Sequence, residues 1–156
     1  MLRQAVVNPM TPRSSFYLQT ASFAGLTIHG IAEAEWMRRQ GPQAAARWEA
    51  NRVAMNTTLA EGLGFGNYAY AGFTQAKDPA GAFQIATDFV RYEPDASPAL
   101  IAARVSILDP QGAVVDEIEV DAFYGGSSAD ENARGCARSV GVQIAVYLSR
   151  RTGLKK

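Results

Sequence analysis

Ile101-Ala102-Ala103-Arg104-Val105-Ser106-Ile107-Leu108, Asp109-Pro110-Gln111-Gly112 and, a few residues on, Glu117-Ile118-Glu119-Val120-Asp121-Ala122 decide the fold. Ile101, Ala103, Val105 and Ile107 alternate with Ala102, Arg104, Ser106 and Leu108, and the alternation resumes as Ile118, Val120 and Ala122 against Glu117, Glu119 and Asp121. A period of two with a turn-forming Asp-Pro-Gln-Gly between the runs is a hairpin with one wet face. A four-residue loop at Asp109 to Gly112 pairs Leu108 with Ala113 and Arg104 with Glu117, which sets opposite charges across from one another.

Working outward, Phe83, Ile85, Thr87 and Phe89 define one face of a preceding strand, with Gln84, Ala86, Asp88 and Val90 on the other. After the hairpin, Ser127 or Ser128 caps a helix whose apolar side is Ala133, Cys136, Ala137, Val140, Ile144, Tyr147 and Leu148. Gly141 costs that helix about 1 kcal/mol against alanine, which points to another backbone passing close by. Arg150, Arg151, Lys155 and Lys156 lie at or beyond the negative end of its dipole.

Upstream, Ala45, Trp48, Met55, Leu59 and Leu63 recur at helical spacing from Pro42, a first-turn proline, with Gly62, Gly64 and Gly66 where the helix must stop. Ile31 to Gln40 is also helix-compatible, and Gly41-Pro42 separates the two segments. Phe16 to Ile28 reads as a first strand that bends or bulges at Gly25, and Tyr68 to Phe73 as a short one. Residues 1–15, with Pro9, Pro12 and a polar run between them, suit an extended arm or linker, leaving 16–156 as a single domain. The expected class is α+β: an antiparallel meander with the long helix and the C-terminal helix packed on one face, in βαβββα order. Trp48, Met55 and Leu59 should cover that face together with Val140, Ile144 and Leu148.

Composition narrows the function classes. The chain has 156 residues, 47% of them apolar, enough for one well-packed core. Fifteen basic and fifteen acidic side chains cancel, so the net positive field that nucleic-acid binding draws on is missing. No apolar run approaches the length of a membrane span, and Met1-Leu2-Arg3-Gln4 opens no signal-like segment. His29 is the one histidine and Cys136 the one cysteine, so no closed zinc site of the usual kind assembles within one chain. No cofactor is called for. Gly62-Leu63-Gly64-Phe65-Gly66 follows a helix instead of opening one, the wrong context for a phosphate loop. Glu117, Glu119 and Asp121 share one strand face, which could bind calcium or a basic partner and is better read as solvated.

Phe65, Tyr68, Tyr70 and Phe73 form an aromatic cluster outside firm secondary structure. Such a cluster lines a partner-binding surface or covers the end of the core. Two functional readings stay open. One is a non-catalytic protein-binding domain using that cluster. The other is a small hydrolase or isomerase with a pocket near Asp88 and His29, or Asp78, beside the aromatics.

The segments Ala82 to Pro94, Ala103 to Val115 and Ala137 to Leu148, with an echo in Trp48 to Leu63, resemble small bacterial envelope lipoproteins. These are the auxiliary lipoproteins of ABC-type transport systems and domains similar to the amino-terminal domain of the Tol translocation protein. The resemblance implies a periplasmic or outer-membrane-associated accessory domain with an envelope protein as partner, and leaves a homo-oligomer open. No cysteine precedes residue 136, so a lipid anchor would lie outside this chain, and a cytoplasmic chain is the alternative.

Overall fold

The computed structural model describes residues 2–64 and 74–153. The elements are β1 (Arg3–Gln4), β2 (Ser15–Leu18), β3 (Thr27–Ile28), β4 (Ile31–Ala32), α1 (Glu33–Gln40) and α2 (Pro42–Leu63). They continue as β5 (Thr74–Gln75), β6 (Phe83–Glu93), β7 (Ala99–Leu108), β8 (Val114–Tyr124) and α3 (Ala129–Thr152). The sheet runs β1-β8-β7-β6-β2-β5, with β3 beside β6 and β4 beside β3. The β6-β7-β8 meander is antiparallel, whereas β2 and β3 both lie parallel to β6. This is the expected α+β architecture.

Strand parity decides which side is covered. Phe83, Ile85, Thr87 and Phe89 of β6, Ile101 to Ile107 of β7 at odd positions, and Ile118, Val120 and Ala122 of β8 are buried. Trp48, Met55 and Leu59 of α2 and Val140, Ile144 and Leu148 of α3 are buried with them, as the helical stripes require. Asp88, Arg104 and Glu119 point to the opposite, wet face, where pairing sets Asp88 beside Arg104 and Arg104 beside Glu119.

The hairpin register differs from the simple expectation. Leu108 faces Val114, not Ala113, and Arg104 faces Glu119, not Glu117. Asp109 lengthens the loop: its carboxylate accepts from the N–H groups of Gln111 and Ala113, and its own N–H donates to the Ala113 carbonyl. A bulge then leaves Val115 without a partner between Val114 and Asp116. Each device slips the pairing by one residue. Together they restore the parity, so the apolar set stays on the helical face and Arg104 still meets an acid.

Two other expectations need correcting. Phe16 to Ile28 is not one strand bent at Gly25. It breaks after β2, bridges to β6 at Ser22, and turns at Phe23 to Leu26 before β3. The break lets Phe23 enter the core, edge-on to Trp48 at 6.3 Å and against Phe89 at 5.2 Å. Gly62 does not stop α2. The left-handed cap is Gly64, at φ 88°, and Gly62 lies in the helix where α2 crosses α3. The backbone approach expected at Gly141 is mutual: a Cβ there would lie 2.3 Å from the Leu59 carbonyl oxygen, and one on Gly62 would lie 2.1 Å from that of Arg138. Neither backbone atom has a flexible side chain's freedom to yield. Gly141→Ala should therefore destabilise by about 1–3 kcal/mol despite its better helix propensity. A denaturation midpoint equal to or above that of the parent would contradict this crossing.

The α3 start is doubly capped. Ser128 Oγ accepts from Glu131 N–H at 3.1 Å, and the Glu131 carboxylate accepts from Ser127 N–H and from its hydroxyl. Residues 3–4 pair with β8 and Met10 is buried, so this part of the N-terminal stretch runs along the body of the molecule.

Candidate functional site

Among the described residues, the sheet ends in an uncovered edge. β1 pairs with β8 only at Asp116 and Glu117, and from Ile118 to Tyr124 no described strand lies beyond β8. The Glu117 carbonyl accepts from Leu2 N–H at 2.9 Å and the Asp121 carbonyl from the Gln143 side-chain amide at 2.8 Å, so both point away from β7. Strand alternation then sends the N–H and C=O groups of Glu119 and Phe123 the same way. The Phe123 side chain is 55% exposed on the wet side. On the other side, Ile118, Val120, Gln143, Val146, Tyr147 and Arg150 line a shallow groove between the edge and α3. Backbone with no strand across from it, beside a groove of mixed apolar and polar lining, is the physical template for adding a strand.

A buried ionic node anchors the closed end of this edge. Asp116 shares the helical face with Ile118 and Val120 and is fully buried. Its carboxylate accepts from Arg151 Nε at 2.7 Å and Nη2 at 3.1 Å, from the Tyr147 hydroxyl at 2.5 Å and from Ala5 N–H at 3.1 Å. Burial raises its pKa, and the hydrogen bonds from Arg151, Tyr147 and Ala5 outweigh that, holding it below the usual aspartate value. One residue thereby ties the N-terminal strand, β8 and α3 together. Arg151, expected only to sit at the negative end of the helix dipole, instead reaches back to this buried carboxylate. The available signal was phase, since Asp116 is an acid in step with Ile118, Val120 and Ala122.

The candidate catalytic residues are not brought together. His29 occupies the β3–β4 turn at φ 54°, a left-handed position shared with Gly30, and its imidazole lies 3.1 Å from Asp95 and 3.7 Å from Glu93. Asp88 is on the wet sheet face opposite Arg104. Asp78 closes a turn by accepting from Ala80 N–H. Cys136 is buried, its thiol directed at the Ala99 carbonyl and pushed by burial to about 11, which disfavours the thiolate. Phe65, Tyr68, Tyr70 and Phe73, and the short strand expected over Tyr68 to Phe73, lie outside the described residues.

An aromatic cleft lined by Trp36, Trp48, Tyr92 and Pro94 has the polar groups of Trp48, Asn51, Tyr92 and Asp130 engaged internally. Trp48 stacks on Tyr92 at 5.7 Å and donates to Glu33, Asn51 donates to Asp130, and the Tyr92 hydroxyl donates to the Ala129 carbonyl. This layer holds α1, α2 and β6 together. Among the described residues no group of acids, His and Cys is arranged to hold a metal ion, and no helix is long and apolar enough to cross a membrane.

No family model matches the chain, and no curated protein does. Among solved structures it is similar to the PelC dodecamer from Paraburkholderia phytofirmans in two crystal forms, at 13% identity with TM-scores of 0.43 and 0.44. The overlap covers 91% of this chain and 92% or 94% of those chains. It is also similar to an uncharacterized protein at 12% identity and a TM-score of 0.40, over 96% of this chain and 98% of that one. Likeness of this degree assigns neither function nor assembly.

Proposed function

We propose that this chain is a non-catalytic protein-binding domain of the bacterial envelope, an accessory module that engages a protein partner by strand addition. The observation that supports it is the β8 edge, with outward backbone groups at Glu119, Asp121 and Phe123 beside the α3 groove. The envelope setting rests on the resemblance of the β6 to α3 segments to envelope lipoproteins. In this reading Phe65, Tyr68, Tyr70 and Phe73 supply a second contact, since Gly64 and Thr74 bracket them between α2 and β5.

A photo-crosslinking residue at Phe123 of the full-length gene product, in its native cell, tests this. Capture of a protein from the periplasmic or outer-membrane fraction is expected, with only background from Val53, exposed on α2. No capture above the Val53 control, or a product found in the cytosolic fraction, contradicts the proposal. Turnover of a small substrate that is lost on Asp88→Asn or His29→Ala would put an enzyme in its place.

A further inference from the structure

We infer that the β8 edge selects an extended partner segment in which basic and apolar residues alternate, an inference that rests on the strand-addition reading above. The chain itself supplies the first example. Where β1 covers the edge, Arg3 stands opposite Glu117. The next position along is Glu119, which ends a row of alternating sign across the wet face, Asp88 then Arg104 then Glu119. Continuing that alternation onto an added strand puts a cation there.

Asp121 makes the same demand more strongly. Its neighbour on β7 is Ala102, so the sheet provides no opposing cation. Neither Glu119 nor Asp121 is held in an ion pair among the described residues. Between them, the residue facing Val120 turns toward the helical side and enters the groove at Val146, where an apolar side chain replaces water. Phe123, exposed at the far end, takes an aromatic or aliphatic neighbour. Gln143 caps the Asp121 carbonyl in the free protein and yields it to the incoming N–H.

The same charges disfavour a second copy of this chain on the edge. Two β8 strands related by a two-fold axis run antiparallel and set Glu119 against the copy's Asp121, or one of these acids against itself, and like charges directly opposite destabilise a pair.

Fluorescence anisotropy with two labelled peptides tests the inference, one carrying the core Phe-Val-Lys-Val-Lys and the other Phe-Val-Glu-Val-Glu, alongside amide exchange of the whole chain. The basic peptide should bind about tenfold or more tightly than the acidic one at low salt, and the ratio should shrink as salt is raised. Glu119→Lys with Asp121→Lys should invert the preference. Asp121→Pro, which removes an outward N–H and none of the β7 ladder, should abolish binding of both. Equal binding of the two peptides with the Glu119, Asp121 and Phe123 amides protected overturns the charge rule while strand addition stands. Failure of every peptide to protect those amides overturns strand addition itself. Concentration-dependent self-association that protects them makes a second copy the occupant and overturns the inference.

Discussion

Asp116→Ala should lower stability by about 3–5 kcal/mol, because it strands Arg151, whose side chain is only 14% exposed, without the carboxylate that compensates its burial. For a chain of this size that moves the thermal midpoint down by about 6–20 °C. The loss also removes the acceptor that Ala5 N–H and the Tyr147 hydroxyl share, so the amides of β1 should exchange faster in the variant than those of β7. Removing both charges with Asp116→Ala and Arg151→Met should recover part of the loss, since the second substitution deletes the stranded cation. The pH dependence follows from the depressed carboxyl. Its folded value lies below the ordinary 3.8, so its stabilisation is complete above that value and disappears as pH falls through the folded value. The gap between parent and Asp116→Ala should hold steady between about pH 5 and pH 8 and close below about pH 4. A gap that stays constant into acid would show that the carboxylate's charge is not what matters.

Ile144→Ala should cost about 2–5 kcal/mol. Ile144 is fully buried in the core shared by the sheet, α2 and α3, within a turn of the Gly141 crossing that holds those helices' backbones together. The glycine contact limits how far α3 can settle into the space left by the removed carbons, which places the cost toward the upper part of the range. Chemical denaturation should show the midpoint falling with little change in slope. A loss under about 1 kcal/mol would mean that α3 does not seat this side chain against the sheet.

Much of the architecture was legible because parity and helical period are local properties. The Ile101 to Leu108 run, the Trp48 to Leu63 stripe and the α3 stripe each bury the face their spacing predicts, and Gly141 marks the helix crossing in the sequence itself. The register was legible only in its parity. Asp109's carboxylate lengthens the turn and Val115 bulges out, and neither effect appears in a count of alternating residues. The broken first strand was hidden for a different reason: Phe23 leaves the edge for a core position that exists only once Trp48 and Phe89 are in place.

The candidate site was the least legible part. A row of acids on one strand face reads as ordinary solvation, and it gains meaning only from β8 lying near the sheet edge, which depends on strand order. Asp116 precedes that row by one residue and is out of phase with it. One step separates it from Glu117, and that step carries it from the wet face into the buried node.

Among the described residues β8 carries an open edge past Glu117, and amide exchange of the free protein, followed residue by residue, is the decisive measurement. Ile118, Val120 and Ala122, whose N–H groups face β7, should be protected to nearly the global unfolding free energy, while Glu119, Asp121 and Phe123 exchange orders of magnitude faster. Uniform protection from Ile118 through Phe123 would mean that another segment already pairs with this edge, and the account would fail.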